Sequence, residues 1–543
     1  MRLSARLALV LPFALTSGLA SLVATGCGSE TSADTDAAAT TGTDETYAVV
    51  ADGKADNYYS SVAAEFEVQG TLPVAMTKDE FNDEAKRADL VSRRLTAFGL
   101  YLTTYVTDKF RGIDHDGDGK ISESEVFFHN EGYGGFHAMV RNFSVETLDV
   151  AGDPTSGYQV TFTIDLAGPR DLLSLVDLKD AADGGKTFEV KLPKGATVDP
   201  QSVPRGEVRN FDPAKYSGEI ETIACKIERL PDPGNAYPAY DQFTADGVYD
   251  LTLFYGHDYN TARSDLQESR SAFELLVDSG FKAPVARFED LKADSGVFTR
   301  TAKANGKDVT IEVRMYHSDM FTTDRKKQHD LAVSELVARD VFFYNGHAGP
   351  YFGFYLDEAR AATVNYLELA NAPFTKKQQL VIAQGCQTYS QYADMLYANP
   401  EKSEDNLDVI TTVNYSYGQG TDELLSSLIQ LDSAGNHRPV DFYTLVGDLN
   451  SNWLNDSRDV FYGVMGIDGN PQLHPYADAT KIGEKCETAA DCGDADGNVC
   501  LSASIGPKLC GAKALTEAAC PEGTQFKFLA RGATIATGAC LKK

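Results

Sequence analysis

Between Val248 and Gly466, short apolar runs alternate with amphipathic stretches, and this order constrains the fold more than any other feature of the chain. Tyr249 to Tyr255, Val341 to Tyr344, Gln379 to Ala383 and Leu407 to Val413 are strand-length and largely apolar. Ser264 to Ser279, Gln328 to Arg339 and Thr421 to Leu431 carry helical spacing. Phe298 to Lys303 and Asp308 to Tyr316 flank Asn305-Gly306, a two-residue turn signal that predicts a hairpin. Val460 to Gly466 is a last apolar segment. Apolar strands separated by helices predict a mainly parallel sheet covered on both faces.

In such a sheet, sites form beyond the carboxyl ends of the strands. The run from Val341 stops at Asn345-Gly346 and presents His347, and the run from Gln379 stops at Gln384-Gly385 and presents Cys386. A thiol attacks as its thiolate, which a neighbouring imidazole favours by pairing or by taking the proton. Backbone N–H groups near Gly346 or Cys386 can stabilise an oxyanion. His257 and Asp258 end the first strand on the same rim, where they can shape a substrate pocket or orient His347. Cys386 has two blander fates. It can be a buried structural thiol, or it can pair with Cys225, the other isolated cysteine of the folded part.

Residues 245–478 resemble the caspase–gingipain–legumain group of cysteine peptidases, which carry a His-Gly after one buried strand and a Cys after the next. His347 matches that group's catalytic histidine and Cys386 its nucleophile, and Gln384-Gly385-Cys386 is near the Gln-Ala-Cys of caspases. The resemblance implies an α/β caspase-like sandwich. It also implies hydrolysis of a peptide or protein substrate through a Cys386 thioester, with His347 as acid/base. The chain departs from the pattern at Ala348, where the group has Gly, and at Gln387-Thr388, where caspases have Arg-Gly. The alternative is a calcium-dependent binding or adhesion lipoprotein whose caspase-like domain is inactive. No His-Glu-x-x-His, Gly-x-Ser-x-Gly, Walker or dinucleotide-binding pattern competes with these readings.

Calcium enters through residues 114–125, which resemble an EF-hand loop over all twelve positions. Asp114, Asp116 and Asp118 supply carboxylates, Lys120 its backbone carbonyl, Ser122 a hydroxyl and Glu125 two oxygens. Four carboxylates this close repel one another unless a cation sits among them. The approach is helical, with Val91, Leu95, Phe98, Leu102 and Tyr105 at spacings of four and three. A helical region with the EF-hand is therefore expected over 57–150. A small β-rich domain is expected over 151–232, where Tyr158 to Ile164 and Thr187 to Leu192 alternate with period two.

The N-terminus reads as a targeting segment over 1–26, with Arg2 and Arg6 before an apolar stretch and small residues before Cys27. This resembles a bacterial lipoprotein signal. It implies lipidation of Cys27 and a membrane-anchored protein on the periplasmic face or cell surface. Residues 27–56, rich in Ser, Thr, Ala, Asp and Gly, read as a disordered tether. Six of nine cysteines crowd between Cys486 and Cys540, so 481–543 reads as a module with three disulfides of undetermined pairing, suited to an oxidising compartment. A net charge of −30 argues against nucleic acid as a partner, because phosphates would be repelled.

Overall fold

The computed structural model describes residues 57–110, 139–141, 146–181, 184–199, 208, 211–321, 324–349, 352–357, 362–414, 416, 418, 420–450, 461–467, 473–494, 496–502, 506–531 and 536–543. The expected signal segment, tether and calcium loop lie outside these residues. Within them the protein is multidomain, with two large sheets and a disulfide-rich C-terminal region.

The first sheet is antiparallel. It contains β1 (Ala63–Val74), β2 (Met139–Val140), β3 (Glu146–Asp153), β4 (Gly157–Pro169), β5 (Lys179–Asp180), β6 (Lys186–Pro193) and β7 (Ile220–Arg229). The order is β2-β4-β1-β7-β6-β5, with β3 also paired to β4. Helix Glu84–Phe110 packs on one face. Its Val91, Leu95, Phe98, Leu102 and Val106 are buried with Phe66, Val68, Phe162, Ile164 and Val190. Phe98 meets Phe162 at a centroid distance of 4.9 Å; truncating such a ring costs about 3–5 kcal/mol. Thr77 and Glu80 form a capping box at the start of the preceding turn, Lys78–Asn82. The residues expected as two regions, 57–150 and 151–232, thus share one sheet and one core. The link is β1, which pairs with β4 from Ala63↔Pro169 to Val74↔Tyr158.

The second sheet is the alternating region. Its stretch of chain supplies β8 (Val248–Tyr255), β9 (Phe298–Ala304), β10 (Lys307–His317), β11 (Val341–Asn345), the short pair β12 (Gly353–Phe354) and β13 (Val364–Asn365), β14 (Gln379–Gln384), β15 (Leu407–Thr412) and β16 (Tyr462–Met465). The order is β16-β15-β14-β11-β8-β10-β9, with β12 and β13 apart as their own ribbon. Strands β10, β8, β11, β14 and β15 are mutually parallel, and both edges are antiparallel. The β9–β10 hairpin turns at Asn305-Gly306, both with positive φ, as its sequence predicts. Strand alternation divides the core in two. Leu251, Phe343 and Ile382 join helices Ser264–Asp278, Thr421–Leu428 and Phe442–Asn450 on one side. Phe254, Phe342, Tyr344 and Val381 join Arg325–Ala338, Tyr366–Leu369 and Tyr392–Tyr397 on the other. Both faces are therefore dry, which is why these strands are apolar throughout rather than alternating.

Outer contacts cover the ends of this sheet. Tyr59 bridges Val464 on β16, Tyr58 Oη donates to Phe461 O (2.6 Å) and Ser60 Oγ donates to Tyr462 O (2.7 Å). On β9, Thr299 bridges Lys282 and Lys303 bridges Asn436. The C-terminal sheet runs β17 (Asn498–Ser502), β18 (Lys508–Ala514), β19 (Thr524–Arg531) and β20 (Ala536–Lys542), in the order β17-β18-β20-β19. Its disulfides are Cys486–Cys500, Cys492–Cys510 and Cys520–Cys540, with sequence separations of 14, 18 and 20. Loops of that length stabilise by about 3 kcal/mol each in the chain-entropy account. Among the described residues, no helix is long and apolar enough to cross a membrane.

Candidate active site

Register brings the candidate residues to one rim. Asn345 on β11 stands opposite Gln384 on β14 and Tyr255 on β8, so the three strands end level. His347 and Cys386 each lie two positions beyond those paired residues. The direction of winding also changes here, since β8 has β10 on one side and β11 on the other. This is where an open parallel sheet leaves a crevice. The strands converge because small residues end them. A Cβ on Gly346 would lie 2.9 Å from Gly256 Cα, and one on Gly385 would lie 2.5 Å from Ala348 Cβ. His347, Cys386, Asp258, Asp265, Glu268 and Ser416 line one cleft.

The imidazole is held from several directions. Its Nε2 lies 3.3 Å from Asp258 Oδ1, a separation suited to Nε2–H donating to the carboxylate. That tautomer leaves Nδ1 to receive a proton. Tyr259 stacks on the ring at 4.2 Å and 14°, and Tyr355 meets it edge-on at 6.0 Å. Tyr344 Oη donates to the His347 carbonyl at 2.6 Å.

Asp258 is fixed in turn. Its Oδ1 accepts from Asn260 N (3.0 Å) and Asn260 Nδ2 (2.7 Å), and its Oδ2 accepts from Ser264 N (3.0 Å). Burial alone would raise its pKa, but hydrogen bonds from His347, Asn260 and Ser264 hold the carboxyl well below its ordinary range. It is therefore a permanent anion behind the imidazole.

Cys386 is buried on a tight elbow. Gln387, the next residue, has φ 58°, an unusual conformation for a side chain of that size. The bend is held by Gln387 N donating to Asn414 O (2.8 Å) and Thr388 Oγ1 donating to Ala383 O (2.9 Å). The Cys386 sulfur lies 3.7 Å from Ser416 O. It is engaged in a disulfide whose partner lies outside the described residues. A thiolate exists there only after that bond is reduced. Cys225 is not the partner: it is free and buried on β7, where burial pushes its thiol up to about 12.

The other expected site residues divide. Asp258 reaches His347, whereas His257 turns to Ser318, with Nδ1 3.1 Å from its Oγ. Cys27 and the loop residues Asp114, Asp116, Asp118, Lys120, Ser122 and Glu125 lie outside the described residues. Sequence reasoning missed Tyr259, Asp265 and Glu268. Asp265 is paired with Arg263 and accepts from Ser318 Oγ. Glu268 is pushed up to about 7 by burial and by the nearby Asp422 and Glu423 carboxylates. Among the described residues, Cys486, Cys492 and Cys500 are the one group spaced like metal ligands, and all three are in disulfides. No family model matches the chain, and no curated protein or solved structure matches it.

Proposed function

We propose that the protein is a cysteine peptidase in which Cys386, once reduced, is the nucleophile and His347 its acid/base. His347 Nδ1 takes the thiol proton as sulfur attacks the peptide carbonyl. Collapse of the tetrahedral adduct forms the thioester and breaks the C–N bond, and the imidazolium gives its proton to the departing amine. A water then gives a proton to His347 and attacks the thioester, which releases the acid product and the thiol. Asp258 stays ionised throughout and stabilises the imidazolium. The observation that carries this reading is the equal placement of His347 and Cys386 beyond neighbouring parallel strands, with Asp258 3.3 Å from Nε2.

The finer assignments belong to the same proposal. Residues 245–478 act as a caspase-like domain, and in the form with Cys386 reduced, lipid on the Cys27 sulfur anchors the chain on an extracytoplasmic membrane face. Three disulfides suit that oxidising setting. The ligand positions of the loop at 114–125 carry oxygen donors, the chemistry a hard cation such as Ca2+ takes. Bound calcium would neutralise that carboxylate cluster.

One observation favours the inactive α/β domain of the second reading, a calcium-dependent binding or adhesion lipoprotein: the Cys386 sulfur is already in a disulfide. The deciding experiment labels the reduced full chain with a peptidyl electrophile, with and without calcium. The peptidase reading expects labelling of wild type and none of Cys386→Ala or His347→Ala. Equal labelling of all three rejects it in favour of the second reading.

A further inference from the structure

The segment after Cys386 is gripped by the first sheet, although the two are far apart in sequence. Tyr389, three residues beyond the cysteine, donates its hydroxyl to Glu65 Oε1 on β1 at 2.5 Å, across 324 residues. Glu65 Oε2 accepts from Tyr58 N at 2.8 Å, and the Tyr58 ring meets Tyr389 edge-on at 5.0 Å. Arg141, directly after β2, bonds Asp394 Oδ1 through Nε (2.8 Å) and Nη2 (2.7 Å), and its Nη1 lies 3.9 Å from Glu65 Oε1. Asp394 belongs to helix Tyr392–Tyr397, which continues the same segment. Glu65, Arg141, Tyr389 and Asp394 are all buried.

Such a network is costly to bury. Desolvation, with Asp165 nearby, pushes the Glu65 carboxyl above its ordinary range despite Arg141. Apolar side chains of similar volume often join two domains as well, so stability alone does not account for the network, and what its bonds add is directional geometry. The geometry fixed here is that of the elbow. Between Cys386 and Tyr389 stand only Gln387, in its left-handed conformation, and Thr388, whose Oγ1 also accepts from Thr412 N (3.0 Å).

We propose that Glu65 and Arg141 are positioning residues, through which the N-terminal sheet holds the Cys386 elbow by way of Tyr389 and Asp394. The inference rests on the reading of Cys386 as the reactive residue, and it makes the first sheet part of the working enzyme rather than an appended module. Without the grip, the elbow relaxes, the buried sulfur becomes more accessible, and the thiolate loses its fixed relation to His347.

The test is alkylation of the natively reduced full chain by iodoacetamide, followed by mass spectrometry at Cys386, with the protection of buried Cys225 as the check that each variant is folded. Tyr389→Phe and Glu65→Gln change little in volume, and two variants guard against one failing to fold. Ser60→Ala is the control, because it removes a bond of the same interface that does not touch the elbow. Both network variants are expected to alkylate at Cys386 about five- to tenfold faster than wild type, the factor worth one buried hydrogen bond. The midpoint of their alkylation pH profile should move up, while Ser60→Ala matches wild type. Unchanged rates in folded network variants, or an equal gain in Ser60→Ala, overturn the proposal. A peptidyl electrophile run in parallel separates the two ideas. If it labels nothing, the peptidase reading fails while the iodoacetamide ratios still decide the grip.

Discussion

Asp258 Oδ1 lies 3.3 Å from His347 Nε2, and the same carboxylate accepts the backbone N–H of Ser264 at the start of the following helix. One side chain thus fixes both the imidazole and its own loop, residues 258–264. Asp258→Asn keeps an acceptor for the backbone but loses the anion. Peptidyl labelling of reduced Cys386 is expected to fall about 10²–10⁴-fold, the range of a general acid–base contribution, with little change in melting temperature. An unchanged rate would show that Asp258 does not support the imidazole.

The disulfide at Cys386 makes reactivity conditional on reduction. Untreated protein is expected to resist a peptidyl electrophile, and mild thiol treatment should restore labelling at Cys386. Intact-mass measurement before and after treatment follows both events. Full labelling without reductant would contradict this.

Tyr259 stacks on the His347 ring at 4.2 Å while remaining 41% exposed. Tyr259→Ala removes the stack and should cost about 1 kcal/mol of ring positioning, or roughly fivefold in labelling rate. Tyr259→Phe keeps the ring and should behave as wild type. Matching losses in both variants would point to the hydroxyl instead.

Glu268 predicts a pH effect of defined sign. Its folded pKa, about 7, is raised above the ordinary carboxyl value of 4.5. The folded state therefore favours the protonated form. That contribution is complete below the unfolded value and is lost as pH rises through the folded one. Between about pH 5 and 8 the melting temperature of wild type should fall relative to Glu268→Gln. Parallel curves for the two proteins would count against a raised pKa.

On the calcium reading of residues 114–125, Glu125 would supply the bidentate ligand at the last position. Glu125→Ala should bind calcium more weakly than wild type by titration calorimetry of the full chain. Equal affinity would refute the loop assignment.

The parallel sheet was legible because both its faces are buried, so each strand announces itself as a short apolar run ending in small residues. Val341 to Gly346 and Gln379 to Gly385 show this, and the placement of His347 and Cys386 followed from it. The hairpin at Asn305-Gly306 was legible because I′-type turns demand those residues. Strand β1 was not, although Phe66, Val68, Leu72 and Val74 alternate, because a helical and acidic neighbourhood hides a pattern broken at Gly70. Tyr259 and Glu268 were invisible because only tertiary packing brings one onto the His347 ring and the other into the cleft. The links from Glu65 to Tyr389 and from Arg141 to Asp394 span 324 and 253 residues and leave no local trace.

The coverings at the two ends of the large sheet carry a consequence for association. Tyr59 occupies the outer side of β16, and Lys282 and Asn436 occupy that of β9. A strand whose outward N–H and C=O groups are already taken is a poor template for a foreign strand. The chain acts as its own stopper at both ends, so growth of this sheet from one molecule into the next is closed off. Strand addition between copies is left to the edges of the other sheets.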